Sequence, residues 1–309
     1  MVPLIRMAMA ALLTGGMPGA VSQDLHVSSG KMVRIENFPS DFVKPRTIDI
    51  WLPEGYSSDK RYAVLYMQDG QMLFDSSGTW NKQEWQADET ASRLIREHKV
   101  RDFIIVGIYN GGTLRHSEYF PETPFAMLSE AEQDSVMKAR RPEKTPVFTD
   151  KVQSDNYLKF LVSELKPYID SAFATNPDRE NTFIAGSSMG GLISLYAICQ
   201  YPVVFGGAAC LSTHWTGIFT NINNPVPQKF MKYLKRHLPD PGTHKIYFDH
   251  GSEGLDAMYG PYQEEADRIM KKSGYTPANW MTREFPGEGH SETAWAKRLE
   301  IPLVFLLKQ

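Results

Sequence analysis

The chain has 309 residues, 42% of them hydrophobic and 22% charged, enough to bury a full-sized core as one domain. Its net charge of −3 and pI of about 6.3, with no basic blocks, exclude an evident nucleic-acid or anionic-membrane face. No apolar run reaches the length needed to span a bilayer. Residues 1–22 read as a secretion signal, with Arg6 as the positive region and a short apolar run over 7–13. Ala20-Val21-Ser22 then offers small residues for cleavage before Gln23. The expected location is therefore periplasmic or secreted, with residues 23–309 as one domain. Cys199 and Cys210 make no disulfide framework; buried free thiols are expected, and a single bridge stays open.

From residue 23 the chain alternates strands and helices. Segments 31–37 and 47–52 alternate apolar and polar residues, as half-buried antiparallel strands do. Near-continuous apolar runs at 62–67 and 103–108 predict central parallel strands covered on both faces, with a helix over 87–98 between them. Helical spacing returns at Leu158, Phe160, Leu161, Leu165 and Ile169. Further on, strands are expected at 207–211, 245–248 and 280–285, with helices at 229–238, 261–272 and 301–307. An antiparallel start followed by strand-helix units implies an α/β fold, a mostly parallel sheet with helices on both faces. Segment 121–153 is polar and without clear period, so it is expected as a lid or rim.

The stretch from Asn181 to Gln200 organises the rest. An apolar run, Thr182-Phe183-Ile184-Ala185, leads into Gly186-Ser187-Ser188-Met189-Gly190, and an amphipathic helix is expected after it. Strand, tight Gly-x-Ser-x-Gly turn and helix form a nucleophile elbow, which lifts the Ser188 hydroxyl to the top of a sheet. In such a sheet the site gathers outside the carboxyl ends of the strands. Acyl transfer needs two backbone N–H groups aimed at the oxyanion, one following the nucleophile and one following the third strand. Met189 and, beside the permissive Gly70, Gln71 occupy those positions.

The base should come last in the order Ser, acid, His. His290, within Gly287-Glu288-Gly289-His290 directly after the last strand, fits; His214 and His250 remain open. His26, His98, His116, His237 and His244 lie in polar, surface-like contexts. The acid should follow the strand at 245–248, where the loop offers Glu253 and Asp256. Asp256 is favoured over Glu253 because the extra residues let the loop curl back toward His290.

Three blocks now stand in order: Val64-Leu65-Tyr66-Met67-Gln68-Asp69-Gly70-Gln71, the Gly186-to-Gly190 elbow, and His290-Ser291-Glu292-x-x-Trp295. Together they resemble the esterase D-like family of α/β-hydrolases. Its members include S-formylglutathione hydrolases, feruloyl and acetylxylan esterases, siderophore trilactone esterases and mycolyltransferases. The resemblance spans nearly the whole mature chain. It implies an eight-stranded sheet, a Ser188–Asp256 (or Glu253)–His290 triad and oxyanion donors at Gln71 and Met189. Gln68 stands where many members have His, which would alter the oxyanion rim. Trp85, Asp88, Asn110, Arg115 and Tyr119 correspond to cleft-lining segments.

The expected activity is hydrolysis of short-acyl or aromatic-acid esters of polar alcohols or sugars, through an acyl-enzyme, with no metal or cofactor. Asp69, Trp85, Arg115, His214 and Trp215 are the candidate substrate-binding residues; the loop 212–215 and the rim 80–85 would offer indoles for stacking. The expected partner is a small-molecule ester, and the oligomeric state stays open. An acyltransferase with the same triad, a siderophore trilactone esterase and a non-catalytic binder on the same scaffold are the alternatives.

Overall fold

A computed structural model describes residues 26–308. The proposed secretion signal lies outside them. Eight strands form one sheet: β1 (Lys31–Phe38), β2 (Arg46–Leu52), β3 (Ala63–Gln68), β4 (Phe103–Ile108), β5 (Thr182–Ser187), β6 (Gly207–Leu211), β7 (Lys245–Gly251) and β8 (Trp280–Phe285). Their order across the sheet is β1-β2-β4-β3-β5-β6-β7-β8. The pairs β1–β2 and β2–β4 are antiparallel, and every pair beyond them is parallel. All strands from β3 onward therefore send their carboxyl ends to one edge.

Period-two alternation sorts each central strand between two cores. From β3, Val64 and Tyr66 enter one, while Ala63, Leu65 and Met67 enter the other. The first core is covered by the elbow helix Met189–Gln200 together with Val226–His237 and Gly260–Lys272. The second lies under Ala87–Arg96, Glu292–Arg298 and Glu300–Leu307. Among the described residues, no helix is long and apolar enough to cross a membrane.

Two expectations need correction, one on the elbow helix and one on two histidines. The elbow helix is not amphipathic: Met189 through Cys199 are all buried, because loops and helices cover the side away from the sheet as well. Segment 121–153, expected as a lid or rim, holds the helices Glu122–Ala126 and Glu130–Met137, the latter opened by a Ser129/Glu132 capping box. His116 and His244 are buried rather than superficial. The His116 Nε2 lies 2.7 Å from the Gly217 carbonyl amid Phe148 and Phe120, and burial pushes its pKa down to about 3. Cys199 and Cys210 are both free and buried.

Candidate active site

The elbow follows from two glycines that face each other. A Cβ on Gly186 would meet the Gly190 carbonyl carbon at 2.6 Å, so the strand can turn into the helix only with side chains absent there. Ser188 between them takes φ 57° and ψ −122°, a conformation held by its N–H donating to Leu211 O at 2.9 Å. Gln68, expected at the oxyanion rim, lies buried beneath this turn, where its side chain packs on Gly190 and accepts from Tyr157 Oη.

After β3 the chain turns through Asp69, with φ 57°, into the short helix Gly70–Met72. Gly70 is required: a Cβ there would lie 2.5 Å from the Gly107 backbone. Asp69 accepts from Asn110 Nδ2 at 2.6 Å and is forked by Arg115, Nε to Oδ1 at 2.6 Å and Nη2 to Oδ2 at 2.7 Å. Gln71 Oε1 accepts from the Asn110 N–H. Asp69, Asn110 and Arg115 thus brace the turn that carries Gln71. The N–H groups of Gln71 and Met189 fall in the opening turns of their helices, where a peptide N–H has no intrahelical partner.

Opposite stands His290. Its Nδ1 lies 2.5 Å from Asp256 Oδ1, and Asp256 is 1% exposed. Glu253, three residues earlier, is exposed and is held through its backbone, its N–H donating to Glu288 O and its carbonyl accepting from the Asp256 N–H. Asp256 Oδ2 also accepts from Ser212 Oγ and from the Gly251 N–H, each at 2.6 Å. Burial pushes the Asp256 carboxyl up, but the His290 ring and these two donors outweigh it and hold it below the ordinary carboxylate range. Behind lies a second buried carboxylate, Asp249, paired to Arg298 Nη2 at 2.9 Å. Its pKa is raised, burial prevailing over the guanidinium.

Ser188, His290, Asp69, Gln71, Trp85 and Arg115 line one cleft of about 560 Å³, a size suited to a small organic molecule. Trp80, 84% exposed, stands at its mouth, and Trp295 at its side lies edge-on to His290 with ring centres 5.0 Å apart. Phe219, Arg141 and Leu255 complete the wall. A larger hollow of about 670 Å³, between Pro53–Ala63 and Arg101–Asp102, holds neither Ser188 nor His290.

His214 and Trp215, expected to face the cleft, turn into the core and are each 1% exposed. His214 Nδ1 hydrogen-bonds Tyr259 Oη at 2.6 Å, and Trp215 Nε1 donates to Gln263 Oε1 at 3.0 Å. The physical reason is the left-handed turn at Ser212, φ 41°, after which the His214 N–H is tied to Ser188 O. Asp88 and Tyr119 are likewise buried, Asp88 accepting from Ser28 and Tyr119 lying under the Arg115 guanidinium. Sequence reasoning missed Phe219 and Arg141, which sit in aperiodic segments and carry no motif. Trp295 was visible only as part of the block around His290.

An eight-stranded, mostly parallel sheet with a serine at a strand-to-helix elbow defines an α/β-hydrolase, here an ester-bond hydrolase acting on small-molecule esters. The family described as "Putative esterase" matches residues 40–303, and the chain belongs to it. Relatives include carboxylesterase SOBER1 of Arabidopsis thaliana, 26% identical over 59% of this chain and 63% of that protein. Another is the endo-1,4-beta-xylanase/feruloyl esterase of Xylanibacter ruminicola, 26% identical over 60% of this chain but only 22% of that protein. Among solved structures, a ferulic acid esterase superposes with a TM-score of 0.63 at 19% identity, covering 90% of this chain and 98% of that one. An IroE-like serine hydrolase from Shewanella oneidensis gives 0.64 at 18% identity, covering 89% and 79%. At these identities the superpositions speak to the fold alone.

Proposed function

We propose that this is an exported serine carboxylesterase whose triad is Ser188, His290 and Asp256, with Gln71 and Met189 as oxyanion donors. The observation that carries the reading is the 2.5 Å contact between His290 Nδ1 and buried Asp256, in the cleft that also holds Ser188. Ser188 Oγ attacks the ester carbonyl carbon as His290 Nε2 takes its proton. The resulting oxyanion is met by the N–H groups of Gln71 and Met189. Collapse breaks the carbon–alkoxide bond, and His290 returns the proton to the departing alcohol. Water then attacks the acyl-enzyme through the same base, releasing the carboxylic acid and restoring Ser188. Asp256 holds Nδ1 protonated throughout and stabilises the imidazolium.

Substrates are short-acyl or aromatic-acid esters of polar alcohols or sugars, supported by indoles at Trp80, Trp85 and Trp295 beside polar Asn81, Gln83 and Asn110. Export is supported by Arg6, the apolar 7–13 run and Ala20-Val21-Ser22. The test is turnover of a chromogenic acetate ester by wild type and by Ser188→Ala. Kcat should fall by up to about a millionfold, and a serine-directed phosphonate should label Ser188. Labelling at Ser187, or activity surviving in the variant, rejects the assignment.

A further inference from the structure

Two guanidinium groups reach the cleft, and only one has its charge answered. Arg115 is forked onto Asp69. Arg141 comes from the turn after Glu130–Met137, which is fixed by its own hydrogen bonds: Arg141 N–H to Thr145 O at 2.9 Å and Lys144 N–H to Arg141 O at 2.8 Å. Its side chain is partly buried over the Phe219 ring, 5.1 Å from guanidinium carbon to ring centre, and lines the cleft with Ser188 and His290. Among the described residues, no carboxylate lies within 4.0 Å of its nitrogens. Glu292, the other acid on the wall, is engaged by Asn81 Nδ2 at 2.7 Å. Burial and the neighbouring Arg115 charge both disfavour the Arg141 cation, and Glu143 offsets them only in part.

A stacked guanidinium keeps its N–H edge free for a planar, two-oxygen partner. We propose that Arg141 anchors a carboxylate carried by the ester substrate, so that the cleft takes half-esters of dicarboxylic acids or esters of hydroxy acids. This rests on the esterase reading above. A carboxylate seated there would answer the Arg141 charge in a partly desolvated setting, where such a pair is stronger than on an open surface.

Two substrate pairs test it and separate the two positions of the anion. On the acyl side, 4-nitrophenyl hydrogen glutarate is compared with 4-nitrophenyl pentanoate. On the alcohol side, acetoxyacetate is compared with 2-methoxyethyl acetate. In at least one pair wild type should favour the anionic member. Arg141→Ala should cut that anionic-to-neutral ratio of kcat/KM about tenfold or more, and Arg141→Lys should restore part of it. Raising salt should lower wild-type turnover of the anionic member selectively, a readout that needs no variant. Ratios unchanged within about twofold in both pairs, with neutral esters still hydrolysed, would overturn the anchor and leave the esterase reading standing. No turnover of any of the four esters would sink both.

Discussion

The Ser212 hydroxyl donates to Asp256 Oδ2 over 2.6 Å, and its surroundings leave its proton no other place to go. A hydroxyl has one proton and two acceptor lone pairs. Trp295 Nε1 and Arg298 Nη2, which can only donate, each approach Ser212 Oγ at 2.9 Å and occupy both lone pairs. With Gly251 N–H also on Oδ2, Asp256 turns Oδ1 to His290. Ser212→Ala would remove one charge-assisted bond, orphan the buried Trp295 Nε1 at about 1–3 kcal/mol, and leave Arg298 Nη2 with Asp249 alone. Kcat should fall about ten- to a hundredfold with KM little changed, since Ser212 touches no substrate. Steady-state kinetics beside a thermal melt decides it; a pure loss of melting temperature at full kcat would assign Ser212 to folding alone.

The choice between two loop carboxylates gives the next prediction. Asp256→Asn keeps the shape but would leave the wrong imidazole tautomer favoured, and kcat should fall about ten-thousandfold. Glu253, exposed and held through its backbone alone, should tolerate Gln within about threefold. Asp256 is held below the ordinary carboxylate range, so it stays ionised as pH falls through weakly acidic values. Lowering pH below the ordinary carboxylate range should therefore bring a loss of stability as Asp256 protonates, read by thermal melts across an acid pH series. A Glu253→Gln variant more damaged than Asp256→Asn would move the acid three residues upstream.

What was legible in the chain was what local pattern dictates. The strands at Phe103–Ile108 and Gly207–Leu211 fall where apolar runs predicted them, and Trp280–Phe285 falls where a strand was expected. The facing pair Gly186 and Gly190 marked the elbow, because a turn that sharp needs bare backbone on both sides. His214 and Trp215 were misplaced because one left-handed residue, Ser212, redirects the loop, and nothing in Ser-Thr-His-Trp announces a positive φ. The Asp249–Arg298 pair joins a strand to a helix 49 residues away, a contact that spacing alone does not encode. Phe219 and Arg141 meet through tertiary folding of two aperiodic segments, so neither carried a signal of its own.

The last prediction concerns the alcohol and acyl groups, and it moves from Trp215 to Trp80. Trp215 is sealed in the core with its indole N–H on Gln263, so it has no face to offer a substrate. Trp80 is 84% exposed at the cleft mouth, an uncommon cost for an indole unless a flat partner covers it. Trp85 and Trp295, themselves buried with ring centres 5.5 Å apart, form a packed aromatic wall further in, so Trp80 is the indole with a free face. Aromatic acids and sugar rings bury one flat apolar face and keep a polar edge, which Asn81, Gln83 and Asn110 can meet. A long aliphatic chain would instead strand those amides against hydrocarbon. Across an acyl series, kcat/KM should peak at short chains and at feruloyl or acetylated-sugar esters, then fall for long ones. Trp80→Ala should raise KM for feruloyl esters about two- to tenfold, the range an aromatic contact supplies, and change acetate ester turnover far less. An optimum at long aliphatic chains, or feruloyl turnover indifferent to Trp80, would remove the aromatic reading of the rim.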